Sequence, residues 1–173
     1  MAAPDRGVYV LVGDGSYLML SSELVTAVQE GIKLIVVLVQ NHGFQSIGAL
    51  SRSVGAQGFG TSYRYRDPES GQLDGEFLPV DLAANAASLG ASVLRAGSVP
   101  ELAGALAAAR AADRTTVIHV ETDPSVPSPD SQGWWDVPVA EVSALDSARD
   151  AKASYEVSKR SQHPPLRPAP RVD

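Results

Sequence analysis

Val8-Tyr9-Val10-Leu11-Val12 leads straight into Gly13-Asp14-Gly15-Ser16, and Leu34-Ile35-Val36-Val37-Leu38-Val39 leads through Gln40 into Asn41-His42-Gly43. Both apolar runs are continuous rather than alternating, the pattern of parallel strands covered on both faces. Between them, Leu18 to Glu30 reads as one helix, with Leu20, Leu24, Val25 and Val28 on one side and Gly31 as its stop. Strand, helix and strand form a βαβ unit with a right-handed crossover. The first run should be a central strand. A buried central strand with no element before it suggests that the chain begins partway into a larger protein.

The rest of the chain extends this pattern. Asp81–Leu89 reads as a short helix, Ser92–Arg95 as a strand, Val99–Ala112 as an alanine-rich helix and Thr115–Glu121 as a further strand. The alternation predicts an α/β fold, a doubly wound parallel sheet with helices on both faces. Residues 41–79 interrupt it with Gly, Ser, Arg and Tyr, and only a short helix near Gln45–Leu50 is expected there. So long a segment without regular structure is usually functional or disordered. The expected organisation is an α/β domain over 1–125 with a loop insertion at about 44–79. A C-terminal extension over 126–161 follows, with the Trp134-Trp135 pair and a helix over Ala140–Arg160, then a proline-rich disordered tail over 162–173.

Two strand ends lying together explain why an aspartate and an asparagine recur at this spacing. Open α/β sheets bind ligands at the carboxyl ends of their strands. Mg²⁺ takes about six oxygen ligands, few from protein and some from phosphate. Asp14 would supply an anionic oxygen, Asn41 a neutral carbonyl oxygen, and Gly43 a backbone carbonyl from the same turn. Backbone N–H groups of Gly15 and Ser16 would face diphosphate oxygens, and the glycines Gly13 and Gly15 let backbone approach them. By itself Gly-Asp-Gly is most often only a turn, and Asn after a strand is common. What favours the metal reading is the conjunction of both motifs, each directly after a buried strand, with a helix-length spacer. A dinucleotide fingerprint fits worse, since residue 18 is Leu18 and not a third glycine, and no Gly-Lys-Ser/Thr occurs.

Length and composition narrow the field. The 173 residues suffice for one domain with a sizeable core, and 44% are apolar. A net charge of −6 with no basic block argues against nucleic acid or an anionic membrane as partner. No apolar run approaches the length of a membrane span. Cysteine is absent, which removes disulfides, thiolate nucleophiles and cysteine-ligated metals and is compatible with a cytoplasmic protein.

Gly13-Asp14-Gly15, twenty-five further residues and then Asn41 resemble the cofactor signature of thiamine-diphosphate enzymes of the acetolactate synthase and pyruvate decarboxylase superfamily. The resemblance implies thiamine diphosphate and Mg²⁺ as cofactors. It matches Asp14, Asn41 and the Gly43 carbonyl to the metal ligands, and Gly15 and Ser16 to the diphosphate contacts. Gln40 and His42 stand where the family often has a second Asn. A narrower resemblance, to the trihydroxycyclohexanedione acylhydrolases of myo-inositol catabolism, covers nearly the whole chain. It rests on Gly13 to Leu20, Ser22 to Thr26, Phe59-Gly60-Thr61, Tyr63-Arg64-Tyr65-Arg66, Gly71-Gln72-Leu73-Asp74-Gly75, Trp134-Trp135 and Val139 to Ser143. It implies hydrolytic opening of a cyclic 1,2-dione to 5-deoxyglucuronate. The glutamate that activates the aminopyrimidine is expected on a missing pyrimidine-binding domain or subunit, and neither Glu23 nor Glu30 is assigned that role. The chain is therefore expected to be an inactive part of a homo-oligomeric enzyme. The alternatives are a domain of another enzyme of the superfamily, of acetolactate synthase or 2-oxoacid decarboxylase type, and a free-standing assembly domain.

Other candidates carry weaker signals. Arg64 and Arg66 would share one face of a strand, either touching a polyhydroxylated substrate or ordering the loop over the cofactor, with a solvated or interdomain hairpin as the plainer reading. His42 reads as a turn residue, with a contact to the site as the alternative. His119 reads as a satisfied core histidine, and the tryptophan pair as a packing anchor against a neighbouring domain or subunit.

Overall fold

A computed structural model describes residues 6–126, 129 and 133–162. These fall into two compact units: Met1–Gly48 with Phe59–Pro127, and Ala49–Gly58 with Ser128–Asp173.

The first unit is built on β1 (Val8–Gly13), β2 (Leu34–Gln40), β3 (Ser92–Ala96) and β4 (Thr116–Glu121). All pairings are parallel and the order is β1-β2-β4-β3. Alternate residues of β2 explain the two faces. Val36 and Leu38 join Tyr17, Leu24, Leu82, Ala86 and Val117 in one core cluster, while Ile35 joins Ala96, Ala109 and Ile118 in another. The first cluster draws on α1 (Asp14–Leu20), α2 (Glu23–Gln29) and α4 (Leu82–Ser88), the second on α5 (Val99–Ala111). Helices thus cover both faces, as a doubly wound sheet requires. The caps follow side-chain chemistry: Asp81 accepts from Ala84 N–H and Ser98 from Glu101 N–H at the starts of α4 and α5.

Two expectations fail against this architecture. The first strand is not central. β1 is the sheet edge, with Tyr9 at 53% and Leu11 at 77% exposure. Its apolar run reports what both faces of the strand prefer, not whether a neighbour covers them. The helix expected over Leu18–Glu30 is two helices. α1 begins already at Asp14, and a turn at Ser21-Ser22 separates it from α2, held by Leu24 N–H to Ser21 O (3.1 Å) and Val25 N–H to Ser22 O (2.9 Å). Paired serines favour such turns, since their hydroxyls compete with the helical ladder.

The long segment after β2 contains α3 (Gln45–Ser53) and then a hairpin closed by isolated contacts rather than by a ladder. Tyr65 N–H reaches Glu76 O at 2.9 Å, and Leu78 N–H reaches Tyr63 O at 2.8 Å. Arg64 and Arg66 do not share a strand face. Arg64 lies 3.9 Å over the Phe77 ring and donates to Gly75 O, while Arg66 donates to Gly71 O. Both guanidinium groups fasten their own hairpin.

In the second unit, α6 (Asp146–Ser161) starts later than expected, because Ser143 holds the approach. Its Oγ accepts Leu145 N–H, and its carbonyl accepts from Arg149. Asp136 receives the Lys159 ammonium and the Tyr155 hydroxyl, and these two contacts hold its carboxyl below the usual range, the lysine first. Trp134 packs against Tyr155 at 6.1 Å between ring centres, and Trp135 is 67% exposed. All of the expected tail except Gln162 lies outside the described residues.

Candidate functional site

β1 and β2 end side by side, with Gly13 paired to Val39. Asp14, the next residue, is 1% exposed. A buried carboxylate is costly without partners, and this one has three. Oδ1 accepts Gly15 N–H at 2.9 Å, and Oδ2 accepts Asn41 N–H and Gly43 N–H, each at 3.0 Å. The aspartate after β1 therefore fixes the turn after β2 through backbone N–H groups alone. That turn tolerates only glycine at its third residue. A Cβ on Gly43 would stand 2.2 Å from Thr61 O, and one on Gly15 would stand 2.5 Å from the Phe44 ring. A Cβ on Gly13, in contrast, would meet no described atom within 4 Å, and its φ of −79° is ordinary.

The Asn41 side chain is the telling element. Its Oδ1 lies 2.9 Å from Gly43 O and 3.1 Å from Asp14 Oδ1. Three oxygens this close repel unless a cation sits among them or the amide turns over. The turned amide donates from Nδ2 to the same two oxygens at the same distances. Neighbouring ligands of an octahedral Mg²⁺, at 2.0–2.1 Å from the ion, stand about 2.9 Å apart. The donor set of one carboxylate, one amide and one carbonyl suits a hard cation, and its spacing fits an octahedral edge. Among the described residues no three His, Cys, Asp or Glu side chains gather as a metal site.

A second construction occupies the ends of β2, β4 and β3. Gln40 Nε2 donates to Val80 O at 3.0 Å, which turns Gln40 Oε1 toward His119 Nε2 at 2.8 Å. An amide oxygen only accepts, so His119 carries its proton on Nε2. Burial, and after it the positive charge of Arg95, pulls the His119 pKa below its ordinary value. His42 is, among the described residues, the one non-glycine at positive φ, 59°. Its ring meets Glu121 Oε1 at 2.7 Å through Nε2 and lies 5.0 Å from the Phe77 ring. Arg95 is paired with Asp81 at 2.9 Å. These side chains line a cavity of about 320 Å³.

Tyr63 stands beside the first construction. Its N–H donates to His42 O at 2.9 Å, and its ring meets Phe44 edge-on at 6.0 Å. Burial, and secondarily the Asp14 charge, pushes its phenol up to about 12.

The six residues singled out from the sequence, Gly13, Asp14, Gly15, Ser16, Asn41 and Gly43, thus lie on one turn pair, with Ser16 exposed in the first turn of α1; the Gly15 N–H, expected to face diphosphate oxygens, instead donates to Asp14 Oδ1. The sequence gives no sign of Glu121 or Gln40 beside His42 and His119, nor of Tyr63 beside His42 and Phe44. Partners 79 residues apart, such as Gln40 and His119, leave no local signal.

Residues 1–120 match the family of thiamine pyrophosphate enzymes at their C-terminal TPP binding domain. The chain belongs to this family.

The 3D-(3,5/4)-trihydroxycyclohexane-1,2-dione hydrolase 2 of Bacillus cereus is 41% identical over 156 residues, 90% of this chain and 24% of the relative. A hydrolase of the same activity from Bacillus thuringiensis is 40% identical over the same coverage. The chain spans about a quarter of the length of these curated relatives. Among solved structures, benzoylformate decarboxylase from Polynucleobacter necessarius superposes with a TM-score of 0.55 at 25% identity, over 73% of this chain and 21% of that one. A thiamine diphosphate-dependent 4-hydroxybenzoylformate decarboxylase from Rhodococcus jostii, at 24% identity and a TM-score of 0.54, shares the fold over 70% of this chain and 21% of its own. Both superpositions agree with the parallel α/β fold of this domain. Among the described residues no helix is long and apolar enough to cross a membrane.

Proposed function

We propose that this domain holds the diphosphate of thiamine diphosphate through a Mg²⁺ ion bound by Asp14, Asn41 and the Gly43 carbonyl, within a hydrolase that opens a trihydroxycyclohexane-1,2-dione. The observation that carries the metal reading is the convergence of the Asn41 carboxamide on the Gly43 carbonyl and the Asp14 carboxylate, at 2.9 and 3.1 Å. The relatives at 41% identity support the substrate, since their names specify it.

Thiamine diphosphate supplies the carbanion chemistry when bound. The residues of this chain do the rest of the local work. Asp14 neutralises part of the ion's charge and aligns the turn that bears the other two ligands. Gly13, with open space around it, and the exposed Ser16 would leave room for diphosphate oxygens at the start of α1. No described side chain here is assigned to activate the aminopyrimidine, and a glutamate on a separate pyrimidine-binding domain or subunit fills that role in this reading. The same proposal includes a homo-oligomeric, cytoplasmic enzyme of inositol degradation, with the α/β domain over 1–125 and an extension over 126–161.

Turnover tests the substrate assignment. The whole enzyme should hydrolyse the cyclic dione and leave pyruvate untouched, and the reverse preference would move it to the 2-oxoacid decarboxylases. The 173-residue chain alone should bind Mg²⁺–thiamine diphosphate weakly in a calorimetric titration. Tight binding with turnover by the chain alone would refute the need for a second half.

A further inference from the structure

The Tyr63 hydroxyl is buried and has no hydrogen-bond partner among the described residues. A hydroxyl removed from water normally finds an acceptor, and one that has none calls for an explanation. The Tyr63 backbone is held on both sides, N–H to His42 O and carbonyl to Leu78 N–H. Its ring is wedged against Phe44, which itself lies over Gly15. The charge that acts on the phenol is that of Asp14, whose two oxygens already accept from Gly15, Asn41 and Gly43.

The turn region beside Tyr63 therefore carries two features: an unspent donor, and a carboxylate, an amide and a carbonyl that converge as ligands of a cation would. A cation held by that trio would bring anionic oxygens with it, because Mg²⁺ keeps waters and phosphate oxygens in its remaining positions. We propose that Tyr63 is a further binding residue, whose hydroxyl donates to an oxygen held at the Asp14–Asn41–Gly43 centre, either a diphosphate oxygen of the cofactor or a water on the metal. The inference rests on the reading of that centre as a metal–diphosphate site. The role reaches across the chain: the Tyr-Arg-Tyr-Arg hairpin would supply the cofactor contact with its first tyrosine while its arginines hold the hairpin shut.

Tyr63→Phe in the whole enzyme tests this with two readouts. Without ligands, the variant should melt at the same temperature as the parent or higher, because it removes a buried hydroxyl that lacks a partner. A drop of several degrees would mean that the hydroxyl bonds within the protein, and would overturn the proposal. In calorimetric titrations, Tyr63→Phe should bind Mg²⁺–thiamine diphosphate about 10- to 100-fold more weakly, the worth of a hydrogen bond to a charged group. Mg²⁺ alone and Mg²⁺ with inorganic pyrophosphate separate the two acceptors: a loss already present with Mg²⁺ alone assigns a metal-held water, and one that needs pyrophosphate assigns the diphosphate. Unchanged affinity in all three titrations overturns the role of Tyr63. Asp14→Ala serves as the reference. If it loses binding while Tyr63→Phe does not, only the tyrosine inference fails. If Asp14→Ala also binds normally, the metal–diphosphate reading fails and takes the tyrosine with it.

Discussion

The two halves of the sheet's carboxyl edge are built from different materials. Over β1 and β2, the backbone does most of the construction: Asp14 is held by three N–H groups, and a carbonyl and two glycines complete the turn pair. Over β2, β4 and β3, side chains do it, through Gln40, His42, His119, Glu121 and the Arg95–Asp81 pair. A backbone centre tolerates almost no substitution at its few key positions, because shape is set by φ, ψ and the absence of Cβ atoms. A side-chain network spreads its energy over several contacts, some of them exposed, so single losses at the exposed ones should be milder.

That contrast can be broken experimentally. The largest effect is expected for Asp14→Ala in the whole enzyme, which should weaken Mg²⁺-dependent binding of thiamine diphosphate by about 100-fold or more, as loss of a metal ligand exceeds loss of its supporting partners. Titration calorimetry at fixed Mg²⁺ measures it, and unchanged affinity removes Asp14 from the centre. Gly43→Ala comes next. Its methyl would meet Thr61 O at 2.2 Å, and the overpacking should cost about 1–3 kcal/mol in urea unfolding. Gly13→Ala, with open space around it, should be near neutral in the same assay. Equal losses at both glycines would show that the turn is not shaped by close approach.

A smaller effect belongs to His119. Its folded pKa is depressed by burial and then by Arg95, so below an unfolded value of about 6.5 the unfolded chain takes up a proton that the folded chain refuses. The stability due to its neutral form is complete above that pH and is lost as pH falls toward the folded pKa, with a slope of at most about 1.4 kcal/mol per pH unit. His119→Gln should flatten unfolding free energy against pH between about 6.5 and 5. An unaltered slope would place the titrating group elsewhere. The mildest effect is expected for Glu121→Ala, which frees the His42 ring. The Glu121 side chain is 60% exposed, so the loss should stay within about 1 kcal/mol. A loss as large as that of Gly43→Ala would show that the side-chain network, too, is indispensable to the turn.

The same division explains what could be read in advance. Asp14, Asn41 and Gly43 were legible because two short motifs sit at strand ends, and strand ends of a βαβ unit meet by topology alone. The helix break at Ser21-Ser22 was not, since apolar periodicity runs through it and only the local i→i+3 bonds reveal the turn. The edge position of β1 was hidden for a related reason: a strand's composition records its faces but not its neighbours. The partners of His42 and His119 come from other strands, and no spacing rule connects them.

The amino-acid sequence by itself determined the parallel α/β fold, the pairing of an aspartate turn with an asparagine turn, and the cofactor class of the domain. Periodicity and the residues of tight turns act over a few positions, so they are visible in one dimension. Only the tertiary structure decided that the Asn41 carboxamide converges on Asp14 and the Gly43 carbonyl, that Glu121 holds the strained His42, and that the Tyr63 hydroxyl, among the described residues, is left without a partner. Those facts depend on packing between distant segments, where a fraction of an ångström separates a bond from an orphaned donor.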